Sequence, residues 1–367
     1  MRLDRFITLS VARPLRSALA GFSPSPRWGE GWGEVLPVLM YHSISDRDES
    51  HLRDYFKVCT APDRFRLQMQ TLRDNGYVGV DLEAGLAWLN QTGAPVSNPA
   101  RLSGEEPREA EPTTESPLLI PHSAFRALHS TFKNLRPVAI TFDDGFRDFF
   151  TEALPALVEH AFTATMYLPT AFIGETRRSF SPSPRSSLST INSPLSTAFA
   201  CLTWSEVREA QDAGMRFGSH TVHHPKLYEL PWPEIEVELR ESRTELEHQL
   251  SRPVHSFAYP YAFPGGDREF CRRLADLVVA SGYRSCATTI VGRVMPGDDA
   301  CTLRRLPMNG ADDAALLLAK LEGAYDWMGP AQSFAKRLKQ SILPRSRRRA
   351  FSVLSVDPDG SPARTFR

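Results

Sequence analysis

Residues 138–145 read VAITFDDG, an apolar run that leads directly into two adjacent carboxylates and a glycine. A short apolar run of this kind predicts a buried strand, and Gly145 can adopt the tight or left-handed backbone that ends one. Such a turn lets the side chains of Asp143 and Asp144 converge on one cavity at the carboxyl end of the strand. The same three residues also occur in turns that only end a strand, so a functional site needs a second group from elsewhere in the chain.

Residues 217–225, FGSHTVHHP, supply that second group. His220 and His224 are four residues apart, a spacing that presents two imidazoles on one side of a helical turn or a tight loop. Two imidazoles and one carboxylate are the usual protein ligands of a catalytic Zn²⁺, and such a site keeps a position open for water. The alternative is a solvated polar turn, but the pairing with two strand-end carboxylates favours a metal site.

Together with residues 257–261, FAYPY, these two stretches resemble the first three motifs of the polysaccharide deacetylases, the NodB-homology or carbohydrate esterase family 4 enzymes. The order and spacing of the motifs agree with that family over residues 36–308. The resemblance implies an α/β fold, an irregular (β/α) barrel of about seven strands, and hydrolysis of an N-acetyl group on an amino sugar. It also implies Asp143 as the general base, Asp144, His220 and His224 as metal ligands, and the backbone N–H of Tyr261 as a donor to the oxyanion.

The chemistry of an amide supports these roles. An amide carbonyl is a poor electrophile, so the site must polarise its oxygen and make water a stronger nucleophile, and one divalent metal can do both. A carboxylate that is not a ligand must take a proton from the water, which suits Asp143 if Asp144 turns to the metal. Zn²⁺ is the default for this ligand set, and Co²⁺, Ni²⁺, Mn²⁺ or Fe²⁺ could bind to it as well.

The chain departs from the family pattern at two positions. Many members carry an arginine just ahead of the third motif that fixes the base; His255 lies in that region here, and we take Arg305 as the replacement. Many members also have a late Leu-x-His that supplies the general acid, but no histidine follows Met308. Residues 39–44, LMYHSI, resemble a Tyr-His segment of the subgroup that deacetylates poly-N-acetylglucosamine. We therefore predict that His42 protonates the leaving amine, the alternative being a histidine that only ends a strand.

The remaining chain alternates strand and helix patterns, which argues for a barrel with its site at the carboxyl ends of the strands. Three low-complexity regions interrupt the alternation. We predict that residues 1–34 lie outside the fold, that residues 35–323 form the domain with insertions at about 93–117 and 177–197, and that residues 324–367 form a basic tail. The charges of residues 233–250 are predicted to form the solvated face of a helix.

The amino-acid composition limits which molecules the protein is expected to bind. The 43 basic and 43 acidic residues balance, so nothing in the net charge indicates nucleic acid binding. Five scattered cysteines without a Cys-x-x-Cys favour reduced thiols and a cytoplasmic setting over a secreted one. No stretch of the N-terminal residues approaches transmembrane length. The basic tail is predicted to be solvated, with contact to an anionic membrane surface or an acidic polymer as a minority alternative.

The leading hypothesis is a metal-dependent hydrolase that removes N-acetyl groups from N-acetylhexosamine units of a cell-surface or extracellular polysaccharide or its precursor. A hydrolase of the same fold could act on a formyl group or an O-acetyl ester instead. A catalytically silent carbohydrate-binding or assembly protein is a third alternative, and the presence of Asp143, Asp144, His220 and His224 together argues against it.

Overall fold

The computed structural model describes residues 3–22, 35–50, 52, 57–92, 136–181 and 198–332. Most of its strands lie in one parallel sheet around the centre of the protein. In chain order the described strands are β1 Val38–Tyr41, β2 Tyr77–Val80, β3 Arg136–Phe142, β4 Thr165–Leu168, β5 Ser179–Phe180, β6 Phe199–Ala200, β7 Arg216–Ser219, β8 Ser256–Ala258, β9 Ser285–Val291 and β10 Leu303–Pro307.

The sheet closes into a ring because β1 pairs with a strand on each of its edges. Leu39 of β1 is in register with Leu306 of β10 and with Ile140 of β3. The order around the ring is β1, β10, β9, β8, β7, β4 and β3, and β2 pairs with β3 outside the ring. The prediction of a seven-stranded (β/α) barrel is therefore confirmed.

Helices follow the strands around the barrel. They are α3 Pro62–Asp74, α4 Leu82–Thr92, α5 Leu154–Glu159, α6 Trp204–Asp212, α7 Trp232–Leu250, α8 Arg268–Ala280 and α9 Ala314–Leu321, while α1 and α2 lie in the N-terminal residues. α8 illustrates why they form, because Asp267 caps its first turn and Phe270, Leu274 and Val278 bury one face at helical spacing. The sequence pattern predicts α3, α4, α6, α7, α8 and α9 within a few residues of their observed ends.

The alternation of side chains along β3 directs the acidic residues into the barrel. Phe142 packs on Phe65 of α3, with ring centroids 5.8 Å apart, so it faces outward to the helices. Its neighbours Thr141 and Asp143 therefore face inward. The barrel interior is thus polar at the end of β3, where the predicted site lies.

The N-terminal residues differ from the prediction that residues 1–34 lie outside the fold. Residues 3–22 form one helix, in which Leu3–Ile7 (α1) and Arg13–Phe22 (α2) are α-helical and Thr8–Ala12 is π-helical. Arg5 pairs with Asp313 and Arg13 pairs with Glu322, so this helix lies against the C-terminal part of the fold. Composition did not reveal the docking because Arg5 and Asp313 are 308 positions apart in the sequence.

The C-terminal boundary also differs from the predicted one at residue 324. Ala324 and Tyr325 are buried, and the Gln332 side chain donates to the Thr289 carbonyl at 3.2 Å. Residues 23–34, the insertion at 93–117, most of the insertion at 177–197 and residues 333–367 lie outside the described residues. All five cysteines are described, and none forms a disulfide, as predicted. None of the helices in the described ranges has the length and apolarity of a membrane span.

We expect replacement of Gly218 by alanine to destabilise the barrel. A Cβ at this position in β7 would stand 2.5 Å from the Tyr167 ring and 2.8 Å from the Ser256 carbonyl oxygen. The forced movement should lower the free energy of unfolding by about 1–3 kcal/mol in a denaturant titration. Gly265→Ala is the matched control, because its Cβ would meet no atom closer than 3.4 Å. Equal stability of the two variants would contradict this packing.

Candidate active site

The seven residues that the sequence predicts for the site lie in one cluster at the carboxyl ends of the strands. They are His42 after β1, Asp143 and Asp144 after β3, His220 and His224 after β7, Tyr261 after β8, and Arg305 within β10. They come from the ends of four strands and from a fifth strand, so only the closed ring brings them together.

Asp144, His220 and His224 could hold a divalent metal ion. All three are buried, and one ligand atom from each lies within 4.8 Å of the other two. Oδ1 of Asp144 is 3.2 Å from Nε2 of His224 and 3.6 Å from Nε2 of His220. Nδ1 of His220 lies 2.8 Å from the Ala258 carbonyl oxygen, and donation there leaves the Nε2 lone pair directed at Asp144. Burial lowers the pKa of His220 to about 4, so its ring is neutral and able to bind a metal near pH 7.

Backbone strain is concentrated at this group. Four residues here have a positive φ: Asp144 (75°), Thr221 (70°), His224 (54°) and Tyr261 (58°). L-residues rarely adopt positive φ, and each instance costs about 1–3 kcal/mol. Among the described non-glycine residues, two others have a positive φ, and neither lies in the site. The fold therefore holds these four residues in place against a local backbone preference.

The loop that carries the two histidines is closed by its own threonine. The Thr221 hydroxyl accepts the backbone N–H of His224 at 2.9 Å and donates to the carbonyl of His220. One side chain thus joins the main chain of both predicted ligands. This contact explains how Thr221 and His224 can keep their positive φ values.

Glu238 of α7 holds the same loop from the other side. Its carboxylate accepts the N–H groups of Val222 at 2.8 Å and His223 at 3.0 Å and contacts Nδ1 of His223 at 2.8 Å. The Glu238 side chain is only 12% exposed, so the prediction that the charges of residues 233–250 form a solvated face is wrong for this residue. The sequence did contain a signal, because Glu238 follows the buried Ile235 by three positions and precedes the buried Ser242 by four.

Asp143 turns away from the histidines towards Arg305. Nη1 and Nη2 of Arg305 lie 2.7 and 2.8 Å from the two carboxylate oxygens, a bidentate pair, and Nε of Arg305 donates to the Thr288 carbonyl at 2.9 Å. Burial raises the pKa of Asp143, but the charge and hydrogen bonds of Arg305 outweigh burial and hold it below its usual range. Asp143 is therefore an ionised carboxylate with both oxygens fixed.

His42 and Tyr261 lie at the edge of the cluster. Nε2 of His42 is 4.0 Å from Oδ2 of Asp143, and the Tyr261 ring is 4.5 Å from the His224 ring. The loop after His42 is anchored by Asp148, which contacts the Ser43 hydroxyl at 2.5 Å and accepts the Ile44 N–H at 3.0 Å. Sequence analysis missed Asp148, because nothing in the local pattern connects it with a loop about one hundred residues earlier.

Comparison with known proteins finds similar sequences and similar folds. Residues 133–279 match the sequence profile of the polysaccharide deacetylases. A putative polysaccharide deacetylase of Bacillus subtilis, YxkH, is 22% identical over 271 residues, which are 74% of this chain and 70% of that protein. The deacetylase PplD of Streptococcus pyogenes is 22% identical with a TM-score of 0.52, covering 78% of this chain and 98% of PplD. IcaB from Ammonifex degensii is 18% identical with a TM-score of 0.51, covering 79% of this chain and 98% of IcaB.

The barrel has the NodB-type fold. The segment that matches the polysaccharide deacetylase family carries five of the seven predicted site residues. The matched residues include Asp143, Asp144, His220, His224 and Tyr261. His42 and Arg305 lie outside the matched range and join the site through β1 and β10.

Replacing Arg305 with methionine should leave the Asp143 carboxylate buried without its partner. We expect a loss of about 3–5 kcal/mol in the free energy of unfolding at pH 7. Because the folded-state pKa of Asp143 is lowered, the pair stabilises the fold above the ordinary aspartate pKa of about 3.9. This stabilisation disappears as the pH falls through the lower folded-state pKa, so the loss should shrink in acid.

Arg304→Met is the control for that measurement. Arg304 lies on the same strand, and its exposed side chain contacts Asp298 at 3.6 Å. An exposed pair contributes about 0–1 kcal/mol, so this variant should unfold almost like the parent. Equal losses of unfolding free energy in the two variants would show that the buried pair of Asp143 and Arg305 stabilises the fold no more than an exposed pair.

Glu238→Ala should weaken metal binding, because the loop of His220 and His224 loses the acceptor that orients it. Removing a group that orients metal ligands typically costs about 10–100-fold in affinity. Competition for Zn²⁺ between the metal-free protein and a coloured chelator measures the change. Glu236→Ala is the control, since Glu236 is exposed on the same helix and pairs with Arg240. An unchanged affinity in Glu238→Ala would remove Glu238 from the support of the site.

Proposed function

We propose that this protein is a metal-dependent hydrolase that removes N-acetyl groups from N-acetylhexosamine units of a cell-surface or extracellular polysaccharide or its precursor. One observation carries the proposal: two adjacent carboxylates have different partners. Asp144 faces two buried imidazoles, whereas Asp143 is held by Arg305. Amide hydrolysis with an activated water requires such a division between a ligand and a base.

The donor set suits a divalent metal. Two imidazoles and a carboxylate fit Zn²⁺ best, and Co²⁺, Ni²⁺, Mn²⁺ or Fe²⁺ could bind to the same residues. A metal held by Asp144, His220 and His224 supplies Lewis acidity, which polarises an amide carbonyl and lowers the pKa of water. The positive φ values at Asp144 and His224 support this role, because strain of this kind persists mainly where function requires a fixed geometry.

The residues of the chain divide the proton transfers. Asp143 accepts a proton from the attacking water as the carbon–oxygen bond forms. Arg305 keeps the Asp143 carboxylate ionised and oriented, so Asp143 contributes more through its position than through its basicity. His42, on the Oδ2 side of Asp143, gives a proton to the sugar nitrogen as the carbon–nitrogen bond breaks. The backbone N–H of Tyr261 donates to the developing oxyanion. The products are acetate and a free amine on the sugar.

Exposure supports a polymeric or oligomeric substrate that enters from one side. The side chains of Asp144, His220 and His224 are almost fully buried, whereas His42 and Tyr261 are partly exposed. A sugar unit can therefore approach Asp144, His220 and His224 along His42 and Tyr261, while the rest of the polysaccharide stays in solvent. The description of the matched family, polysaccharide deacetylase, supports the same substrate class.

Acetate release from N-acetylglucosamine oligomers tests the proposal. Metal-free protein should be inactive, and one equivalent of Zn²⁺ should restore release. Asp144→Ala and His220→Ala should fail to bind Zn²⁺, because each removes one of the three ligands. Asp143→Asn should bind Zn²⁺ normally and lose about 10²–10⁴-fold in rate, the usual contribution of a general base.

The outcomes separate the alternatives. A fully active Asp143→Asn would overturn the assignment of the base. Zinc binding without acetate release, combined with hydrolysis of N-formyl or O-acetyl sugars, would replace the acetamide by another acyl group. Zinc binding without hydrolysis of any of these compounds would indicate a binding or assembly role.

A further inference from the structure

The two imidazoles beside Asp144 are held in different ways. Nδ1 of His220 lies 2.8 Å from the Ala258 carbonyl oxygen. Nδ1 of His224 is also buried, but it has no hydrogen-bond partner among the described residues. A histidine that binds a metal almost always donates its other ring N–H to an acceptor, and that hydrogen bond fixes the orientation of the ring. The His224 ring therefore has to be oriented by some other contact.

Aromatic rings supply that contact. The Phe180 ring meets the His224 ring at a centroid distance of 5.0 Å and an interplanar angle of 68°, and the Tyr261 ring lies 4.5 Å from it. Edge-to-face contacts are directional, because the edge and the face of an aromatic ring carry opposite partial charges. Phe180 is buried, whereas Tyr261 is partly exposed. Of these two neighbours of His224, Phe180 is therefore the more restricted.

The Phe180 ring is itself fixed by neighbouring rings. In the two-stranded ribbon of β5 and β6, Phe180 is in register with Phe199. Its ring lies 4.4 Å from the Phe172 ring and 6.2 Å from the Phe146 ring, and Phe146 stacks on Phe199 at 4.4 Å. The four phenylalanines thus form one aromatic cluster. Close packing leaves few rotamers open to its members, so the orientation of Phe180 is set before any ligand binds.

The ribbon also connects two parts of the site. Just after β6, the backbone N–H of Leu202 donates to the carbonyl of Gly145 at 2.9 Å, and Gly145 follows Asp144 directly. In β5 the ribbon places Phe180 against His224. One small element is therefore bonded next to one predicted ligand and packs on another.

Nothing in the sequence pattern indicates this role, because Phe180 lies in the low-complexity stretch predicted as an insertion at about 177–197. Residues 177–181 of that stretch belong to the described fold, and Arg177 forms a bidentate ion pair with Glu206 of α6. The predicted start of the insertion is thus too early, and the residues it wrongly includes contact the site.

We propose that Phe180 is a positioning residue of the metal site, whose ring keeps His224 in the orientation that presents Nε2 beside Asp144. Nε2 of His224 is 3.2 Å from Oδ1 of Asp144. The Phe180 ring takes the place of the hydrogen bond that Nδ1 of His224 lacks. This inference deepens the proposed function and rests on it, because it takes Asp144, His220 and His224 as the ligands of a divalent metal ion.

Zinc titration calorimetry of the metal-free, full-length protein tests the inference. Phe180→Leu keeps an apolar side chain but removes the ring, so Zn²⁺ should bind about 10–100-fold more weakly, the usual cost of losing a group that orients a ligand. Phe180→Tyr keeps the ring and should bind Zn²⁺ like the parent. With saturating Co²⁺ in place of Zn²⁺, the visible spectrum reports the ligand geometry, and it should differ from that of the parent in Phe180→Leu.

Phe162→Leu is the matched control. Phe162 is 4% exposed, against 6% for Phe180, and its ring lies 5.7 Å from the ring of His160, a histidine outside the site. It precedes β4, whereas the site lies at the carboxyl ends of the strands. This variant should lower the thermal unfolding temperature about as much as Phe180→Leu does, because both remove a buried ring. Its Zn²⁺ affinity and Co²⁺ spectrum should match those of the parent.

The outcomes separate this inference from the proposed function. Equal Zn²⁺ affinity in the parent and Phe180→Leu would overturn the role of Phe180 and leave the proposed function standing. Equal weakening in Phe180→Leu and Phe162→Leu would also overturn that role, because the loss would then follow from general destabilisation. Weakening in Phe180→Leu alone would support it, even if the parent released no acetate. A parent protein that binds no Zn²⁺ would overturn both.

Discussion

The burial of two neighbouring carboxylates, Asp143 and Asp144, is the constraint on which the site depends. A buried carboxylate without a partner is costly, and two side by side also repel each other. The positive φ at Asp144 turns the second carboxylate towards the histidines, while the first continues the inward row of β3 and meets Arg305. Different partners give the two residues different chemical properties, although they are the same amino acid.

The pair between Asp143 and Arg305 also spans the closure of the barrel. Asp143 follows β3, Arg305 belongs to β10, and β1 lies between these strands and pairs with both. His42 at the end of β1 is therefore brought beside Asp143 by the same closure. Closing the ring and assembling the site are one event, so the stability of the fold and the geometry of the site depend on the same contacts.

The loop that carries His220 and His224 shows how the structure stabilises a strained backbone. Thr221 joins the main chain of His220 and His224, and Glu238 accepts two N–H groups from the residues between them. These bonds hold the loop before any ligand binds, so less ordering is needed afterwards. At the periphery, ion pairs of Arg5 with Asp313 and of Arg13 with Glu322 join the N-terminal helix to the C-terminal part of the fold.

By itself the sequence determined the alternation of strands and helices, the barrel class, and the three strand-end motifs, because periodicity and residue chemistry are expressed within a few residues. It also supplied His42 and Arg305 as candidates through the family resemblance. Only the tertiary structure decided that Arg305 holds Asp143, that Glu238 and Asp148 support the site loops, and that residues 3–22 belong to the fold. Each of these depends on contacts between residues remote in the chain, such as Arg5 and Asp313, and those contacts exist only once the ring has closed.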